Sequence, residues 1–159
     1  MNLFAKSIAV VSALFLLAAC ENGTGSGGAD GKGGMGPATP GTQEDLTQNV
    51  GDRVFFAYDS STLSSEGQST LQRQAAWLKQ YPDVSVTVEG HCDERGTREY
   101  NIALGERRAT AAKKYLVAQG VSSKRVSTIS YGKERPAVIG SDESAFSQNR
   151  RGVTVVTAK

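Results

Sequence analysis

The sequence predicts a two-layer α/β sandwich, a mixed four-stranded sheet carrying two long helices on one face. Three observations predict it. Segments of strand and helix character alternate between residues 53 and 157, the order that builds α/β architectures. About 115 residues follow Glu44, a length that suits one domain with its own core. Connections between parallel strands are right-handed, which puts both long helices on the same side of the sheet.

Each element follows from its residues. Arg53 to Tyr58 (RVFFAY) is apolar and aromatic between two turn-forming clusters, and reads as a buried strand. Ser64 is an N-cap with Glu66 in the first turn; Leu71, Ala75 and Leu78 recur at helical spacing until Tyr81-Pro82 stops the helix. Val84, Val86 and Val88 alternate with Ser85, Thr87 and Glu89, a half-buried strand ending at Gly90. A second helix is expected from Glu99 to Gln119, closed by Gly120. Val126 to Tyr131 makes a third strand, ended by Gly132-Lys133 and Pro136. A short helix fits Asp142 to Arg150, and Gly152 to Thr157 (GVTVVT) is the last strand, expected to run antiparallel.

The first 44 residues have a different character. Lys6 precedes an uncharged, largely apolar stretch from Ser7 to Ala19, thirteen residues, too short to span a bilayer but suited to a secretory leader. Leu17-Ala18-Ala19-Cys20 resembles a bacterial lipobox, in which the cysteine is lipidated and becomes the mature N-terminus. Several acyl chains on Cys20 would anchor the protein stably, since each buried methylene adds ~0.8 kcal/mol. Glu21 after the cysteine favours the outer membrane over the inner one. Nine glycines fall between Asn22 and Gly41, and a segment of that composition is a flexible linker. The twenty-four residues from Glu21 to Glu44 span roughly 27 Å on average and up to about 80 Å when extended. The organisation read from the sequence is a leader over 1–19, a lipidated cysteine and linker over 20–44, and one domain over 45–159.

Charge narrows the function. The net charge is +2, and removing Lys6 with the leader leaves 2 − 1 = +1. Without a basic run longer than a pair, the chain is not expected to bind nucleic acid. Of the two cysteines one is assigned to lipidation, so Cys92 lacks a partner within the chain. It shares strand parity with Val84, Val86 and Val88, which predicts burial.

The densest chemistry lies in Gly90 to Leu116, GHCDERGTREYNIALGERRATAAKKYL. His91, Cys92, Asp93 and Glu94 stand in a row, but His91 is the only histidine and no second ligand pair exists for a structural metal. Nothing marks a serine as a nucleophile with its base, so no enzyme and no cofactor is expected. On the second helix, at about 100° per residue, Leu104, Ala111, Ala112, Tyr115 and Leu116 occupy one arc. Arg108 falls inside it and Arg107 at its edge. A guanidinium on an apolar face needs a partner, and Asp93 at the end of the neighbouring strand is the candidate partner or co-ligand. Two readings fit the pair. One is a structural salt bridge. The other is a cleft at the carboxyl end of a strand, where Asp93 takes an ammonium and Arg108 a carboxylate, a site for a zwitterion.

Gly90-His91-Cys92-Asp93-Glu94-Arg95-Gly96-Thr97, Glu99-Tyr100-Asn101, Leu104-Gly105-Glu106-Arg107-Arg108-Ala109, Ser130-Tyr131-Gly132-Lys133-Glu134 with Pro136, and Asn149-Arg150-Arg151 together resemble the OmpA-like peptidoglycan-binding domain. The resemblance covers nearly all of residues 50 to 157. It implies non-covalent binding of peptidoglycan through the meso-diaminopimelate of the stem peptide. Carried over by position, Asp93 would hold the ammonium end and Arg108 the carboxylate. Arg95, Gly96 and Thr97 would shape the loop and give backbone contacts, Leu104 would pack on the ligand, and Tyr58 and Asp59 would line the same cleft. Asn101 reads as structural, capping the helix or fixing the loop. Two departures from the family pattern are Cys92, where a small residue is common, and Arg98, where proline is frequent. The resemblance further implies an outer-membrane lipoprotein whose domain faces the periplasm. Such a protein tethers that membrane to the wall within the Tol machinery, with TolB and other Tol proteins as partners in envelope integrity and division.

Overall fold

The computed structural model of the chain describes residues 38–158. The expectations for the leader, for Cys20 and for most of the Gly-rich tract lie outside the described residues. A single helical turn, α1 (Gln43–Asp45), runs into a π-helical turn over Leu46–Val50. Then follow β1 (Arg53–Phe55), α2 (Ser65–Gln80), β2 (Ser85–His91), α3 (Arg98–Ala118), a 3₁₀ turn, β3 (Val126–Gly132), α4 (Glu143–Asn149) and β4 (Arg151–Ala158).

The sheet order is β1-β4-β2-β3. β2 and β3 are parallel, as the α3 crossover requires, and β4 runs antiparallel to both β1 and β2. The predicted mixed sheet is therefore present, with the last strand inserted at its centre. The core gathers Leu71, Ala75 and Leu78 of α2, Val86 and Val88 of β2, and Ala109, Ala112 and Leu116 of α3. The α2 N-cap is the predicted Ser64, whose Oγ accepts from the Gly67 N–H at 3.1 Å.

Two predicted elements need correction. β1 was expected to reach Tyr58 but ends at Phe55. Beyond it the backbone turns away from the sheet, and the carbonyls of Phe56, Ala57 and Ser60 accept hydrogen bonds from arginine side chains instead of from a strand. The buried face of α3 consists of Asn101, Leu104, Gly105, Arg108, Ala109, Ala112 and Leu116. Ala111 and Tyr115, placed in the arc from the sequence, flank it. The face is rotated toward Gly105 and Ala109 because side chains this small let the helix approach the sheet.

Candidate functional site

The cleft that holds the predicted residues opens beside the C-terminal end of β2. Its volume is about 200 Å³, and its walls are Tyr58, Asp59, Cys92, Asp93, Arg95, Gly96, Tyr100, Asn101, Leu104 and Arg108. Seven of the eight side chains or loop positions named from the sequence therefore meet there. Thr97 is the exception. It is the N-cap of α3, with its hydroxyl accepting from the Tyr100 N–H at 3.2 Å.

The loop between β2 and α3 is built by local bonds. Gly96 has φ +88, a conformation glycine adopts without strain. The Asn101 amide reaches back to the carbonyls of Arg95 at 2.7 Å and Thr97 at 3.0 Å, fixing the loop against the first turn of the helix. Lys133 Nζ donates to the carbonyls of Glu94 and Gly96 from the other side. On the opposite strand end, Asp59 stands in the left-handed region at φ 50, which Asp tolerates better than most residues. Its carboxylate accepts from the Tyr100 hydroxyl, tying the β1–α2 turn to α3.

Arg108 is 1% exposed and does not pair with Asp93. It donates from Nε to the Ser60 carbonyl at 2.8 Å, from one terminal nitrogen to His91 at 2.8 Å, and from the other to Ala57 at 3.1 Å. Of the two readings of the pair, the direct Asp93–Arg108 salt bridge is not formed, and a carbonyl cage holds Arg108 instead. A guanidinium has five N–H donors; three go to these carbonyls, and the Cys92 thiol also hydrogen-bonds the group. Burial lowers the Arg108 pKa from its ordinary value, with Cys92 and Asp93 opposing.

Asp93 pairs instead with two other arginines. Arg95 meets it in a fork, Nε on Oδ1 at 3.1 Å and a terminal nitrogen on Oδ2 at 2.6 Å. The buried Arg150 donates to Oδ2 at 3.3 Å and is itself held by the Phe56 carbonyl at 3.0 Å and Glu143 at 2.5 Å. Burial pushes the Asp93 carboxyl up, but the hydrogen bonds from Arg95 and Arg150 outweigh it and hold the group below its ordinary value, as a carboxylate. The Arg95 guanidinium lies between two rings, 4.1 Å from the Tyr58 centroid and 4.3 Å from that of Phe146.

Cys92 is buried as predicted, and its Sγ donates to the Asn101 carbonyl at 3.4 Å. Burial pushes its thiol up, which makes it less reactive. Sequence reasoning gave no site role to Arg150, Tyr100, Glu143 or Phe146. The Asn149-Arg150-Arg151 run was the available signal for the first, because two arginines entering a strand place one on each face. Among the described residues, no three His, Cys, Asp or Glu side chains gather to hold a metal ion.

The model of the OmpA family matches residues 55–150, the span that carries the cleft, the last residue of β1, both long helices and the whole of β2 and β3. A peptidoglycan-associated lipoprotein of Agrobacterium fabrum is 52% identical over 161 residues, covering 98% of this chain and 91% of the relative. The chain belongs to the OmpA family. A second peptidoglycan-associated lipoprotein, from Haemophilus influenzae, is 45% identical over 157 residues, 96% of this chain and 98% of its own length. Among solved structures, the peptidoglycan-associated lipoprotein of Burkholderia pseudomallei matches with a TM-score of 0.67 and 36% identity, over 71% of this chain and 100% of that one. The C-terminal domain of Helicobacter pylori MotB matches at a TM-score of 0.63 and 22% identity, a likeness of fold. In this OmpA-family domain, the fold places a carboxylate and a guanidinium in one cleft at a strand's carboxyl end, the position that α/β sheets offer to ligands.

Proposed function

We propose that the chain is a peptidoglycan-associated lipoprotein that binds the wall non-covalently through the diaminopimelate of the stem peptide. The observation that carries this reading is the one cleft lined by Asp93, held as a carboxylate, and by the buried Arg108 guanidinium. A zwitterionic side chain presents an ammonium and a carboxylate, and these match the two groups through charge-assisted hydrogen bonds. The Leu104 side chain and the Tyr58 ring supply apolar contact, Asp59 lines the mouth, and the loop of Arg95, Gly96 and Thr97 offers backbone groups. No part of this reading calls for catalysis, and the domain acts as a binding module. With Cys20 lipidated and the Gly-rich segment as tether, it holds the outer membrane to peptidoglycan from the periplasmic side. The family resemblance of the sequence implies a place in the Tol–Pal system, with TolB and other Tol proteins as partners, serving envelope integrity and constriction at cell division.

Pull-down with purified peptidoglycan tests the assignment. Asp93→Ala and Arg108→Ala are expected to lower retention by about ten-fold or more, the loss of a charge-assisted hydrogen bond worth ~1.5–3 kcal/mol. Asp93→Asn and Arg108→Lys serve as milder replacements, with circular dichroism melts to certify the fold. Free meso-diaminopimelate is expected to compete. Retention equal to wild type in folded variants, or indifference to the competitor, turns the cleft into a structural ion network and favours an adaptor for a protein segment.

A further inference from the structure

A carboxylate offers about four acceptor positions, and Asp93 fills them all. Oδ1 accepts from the Arg95 backbone N–H at 3.2 Å and from Arg95 Nε at 3.1 Å; Oδ2 accepts from an Arg95 terminal nitrogen at 2.6 Å and from Arg150 at 3.3 Å. An incoming ammonium finds no open position and must displace a donor. Arg150 is poorly placed to leave, since it is buried and its other nitrogens are held by the Phe56 carbonyl and Glu143. The Arg95 side chain is 35% exposed, and apart from Asp93 and a long ion-pair contact with Glu143 its neighbours are ring faces. Ring faces attract a guanidinium without fixing its rotation as hydrogen bonds do. The next acceptor within reach is Glu143 Oε2, 3.9 Å away on the first turn of α4 and largely exposed.

We propose that Arg95 is a two-position guanidinium: it closes on Asp93 in the empty cleft and passes to Glu143 when a ligand ammonium takes its place, moving between the rings of Tyr58 and Phe146. The exchange rests on the reading that the cleft receives diaminopimelate, and it deepens that reading by making Glu143 and Phe146 positioning residues that do not line the cleft. One cation replaces another at Asp93, so the carboxylate stays neutralised throughout. A ligand lacking an ammonium cannot drive the exchange, which gives the site a reason to reject dicarboxylates of the same length. Without Glu143 the released guanidinium has no counter-charge and stays to compete with the ligand.

The test is a titration of ¹⁵N-labelled protein with meso-diaminopimelate, following the side-chain Nε–H cross-peaks of Arg95 and Arg150 and the backbone amides of residues 96–104. The amides report occupancy. At saturation the Arg95 cross-peak is expected to shift while that of Arg150, held by the Phe56 carbonyl, stays. Pimelate, the same carbon chain without either ammonium group, is expected to leave Arg95 in place. Glu143→Gln is expected to weaken binding by about two- to five-fold, the range of an exposed charge pair. Phe146→Leu is expected to weaken it similarly, and Phe146→Tyr to restore it by keeping the ring. Binding with a stationary Arg95 cross-peak, or an equal shift with pimelate, overturns the exchange alone. Absence of binding by the wild type overturns the ligand reading and the exchange with it.

Discussion

His91 is 2% exposed at the end of β2, stacked 5.5 Å from the Tyr131 ring, and neither of its ring nitrogens has a hydrogen-bond partner among the described residues. Burial, reinforced by the Arg151 guanidinium, pushes its pKa from 6.5 down to about 4, even though Glu89 Oε2 lies 3.4 Å from Nε2 and a weak backbone contact with Arg135 favours the charged ring. The folded protein therefore keeps His91 neutral where the unfolded chain takes up a proton. Stability that is full above pH 6.5 is lost as the pH falls toward 4. Replacing a ring whose nitrogens make no well-formed hydrogen bond by a hydrocarbon strands no strongly held donor or acceptor. His91→Leu is thus expected to flatten the profile, the difference from wild type amounting to something on the order of 2 kcal/mol between pH 7.5 and pH 4.5. Urea unfolding at the two values measures it, and coincident profiles would mean that Glu89 keeps the ring protonated in the fold. Single residues were legible in the sequence where a pattern encodes position. Strand parity announced the burial of Cys92, and helical spacing announced that of Arg108. The partners of Arg108 were not legible, because they are backbone carbonyls, which every residue carries and no residue type signals.

At the scale of elements, the approach of α3 to the sheet decides where the cleft lies. An ideal Cβ on Gly90 would stand 1.8 Å from the Gly105 carbonyl oxygen, and one on Gly105 would stand 2.3 Å from Ser130 Oγ. Helix backbone thus rests directly on strand backbone, three residues before Asp93 in β2 and beside Leu104 in α3. Gly90→Ala cannot be absorbed by a rotamer change, since the obstacle is main chain. It is expected to cost at least the ~1–3 kcal/mol of ordinary overpacking and to weaken ligand binding by moving Arg108 and Leu104 away from Asp93. Gly67 in α2 provides the contrast, with nothing nearer than Ser64 Oγ at 3.4 Å. Gly67→Ala is expected to stabilise by up to ~0.5–1 kcal/mol and to leave binding unchanged. Thermal melts paired with pull-downs separate these outcomes. The two long helices, α4, the Ser64 cap and the strands β2 to β4 were readable because each carries its own period and punctuation, whereas the Thr97 cap of α3 was not. The end of β1 was not, since the run RVFFAY stays apolar past the point where Arg108 and Arg150 draw the backbone out of the sheet.

For the whole molecule, the entry of the chain is fastened at one buried carboxylate. Asp45 accepts from the Gly41 N–H, the Asn49 amide and Trp77 Nε1, each at 2.8 Å, and so ties the first turn to α2. Gln43 reaches β4 at the Thr154 carbonyl and the Val156 N–H, so contacts with the sheet begin two residues before Asp45. Asp45→Ala leaves the buried indole N–H without this acceptor and is expected to cost ~2–3 kcal/mol. Amide hydrogen exchange over residues 46–50 is expected to accelerate more than that of β2 to β4; uniform acceleration would show that the entry segment unfolds only with the whole. The sequence by itself determined the order of strands and helices, the arc that buries Arg108 and the parity that buries Cys92. These are properties of local period, propensity and spacing, which a chain carries wherever it folds. Only the tertiary structure decided that β4 enters between β1 and β2, that Arg108 is caged by carbonyls, and that Asp93 is held by Arg95 and Arg150. Such pairings are settled by competition among groups distant in sequence for a limited number of buried donors and acceptors, and that competition exists only once the layers have packed.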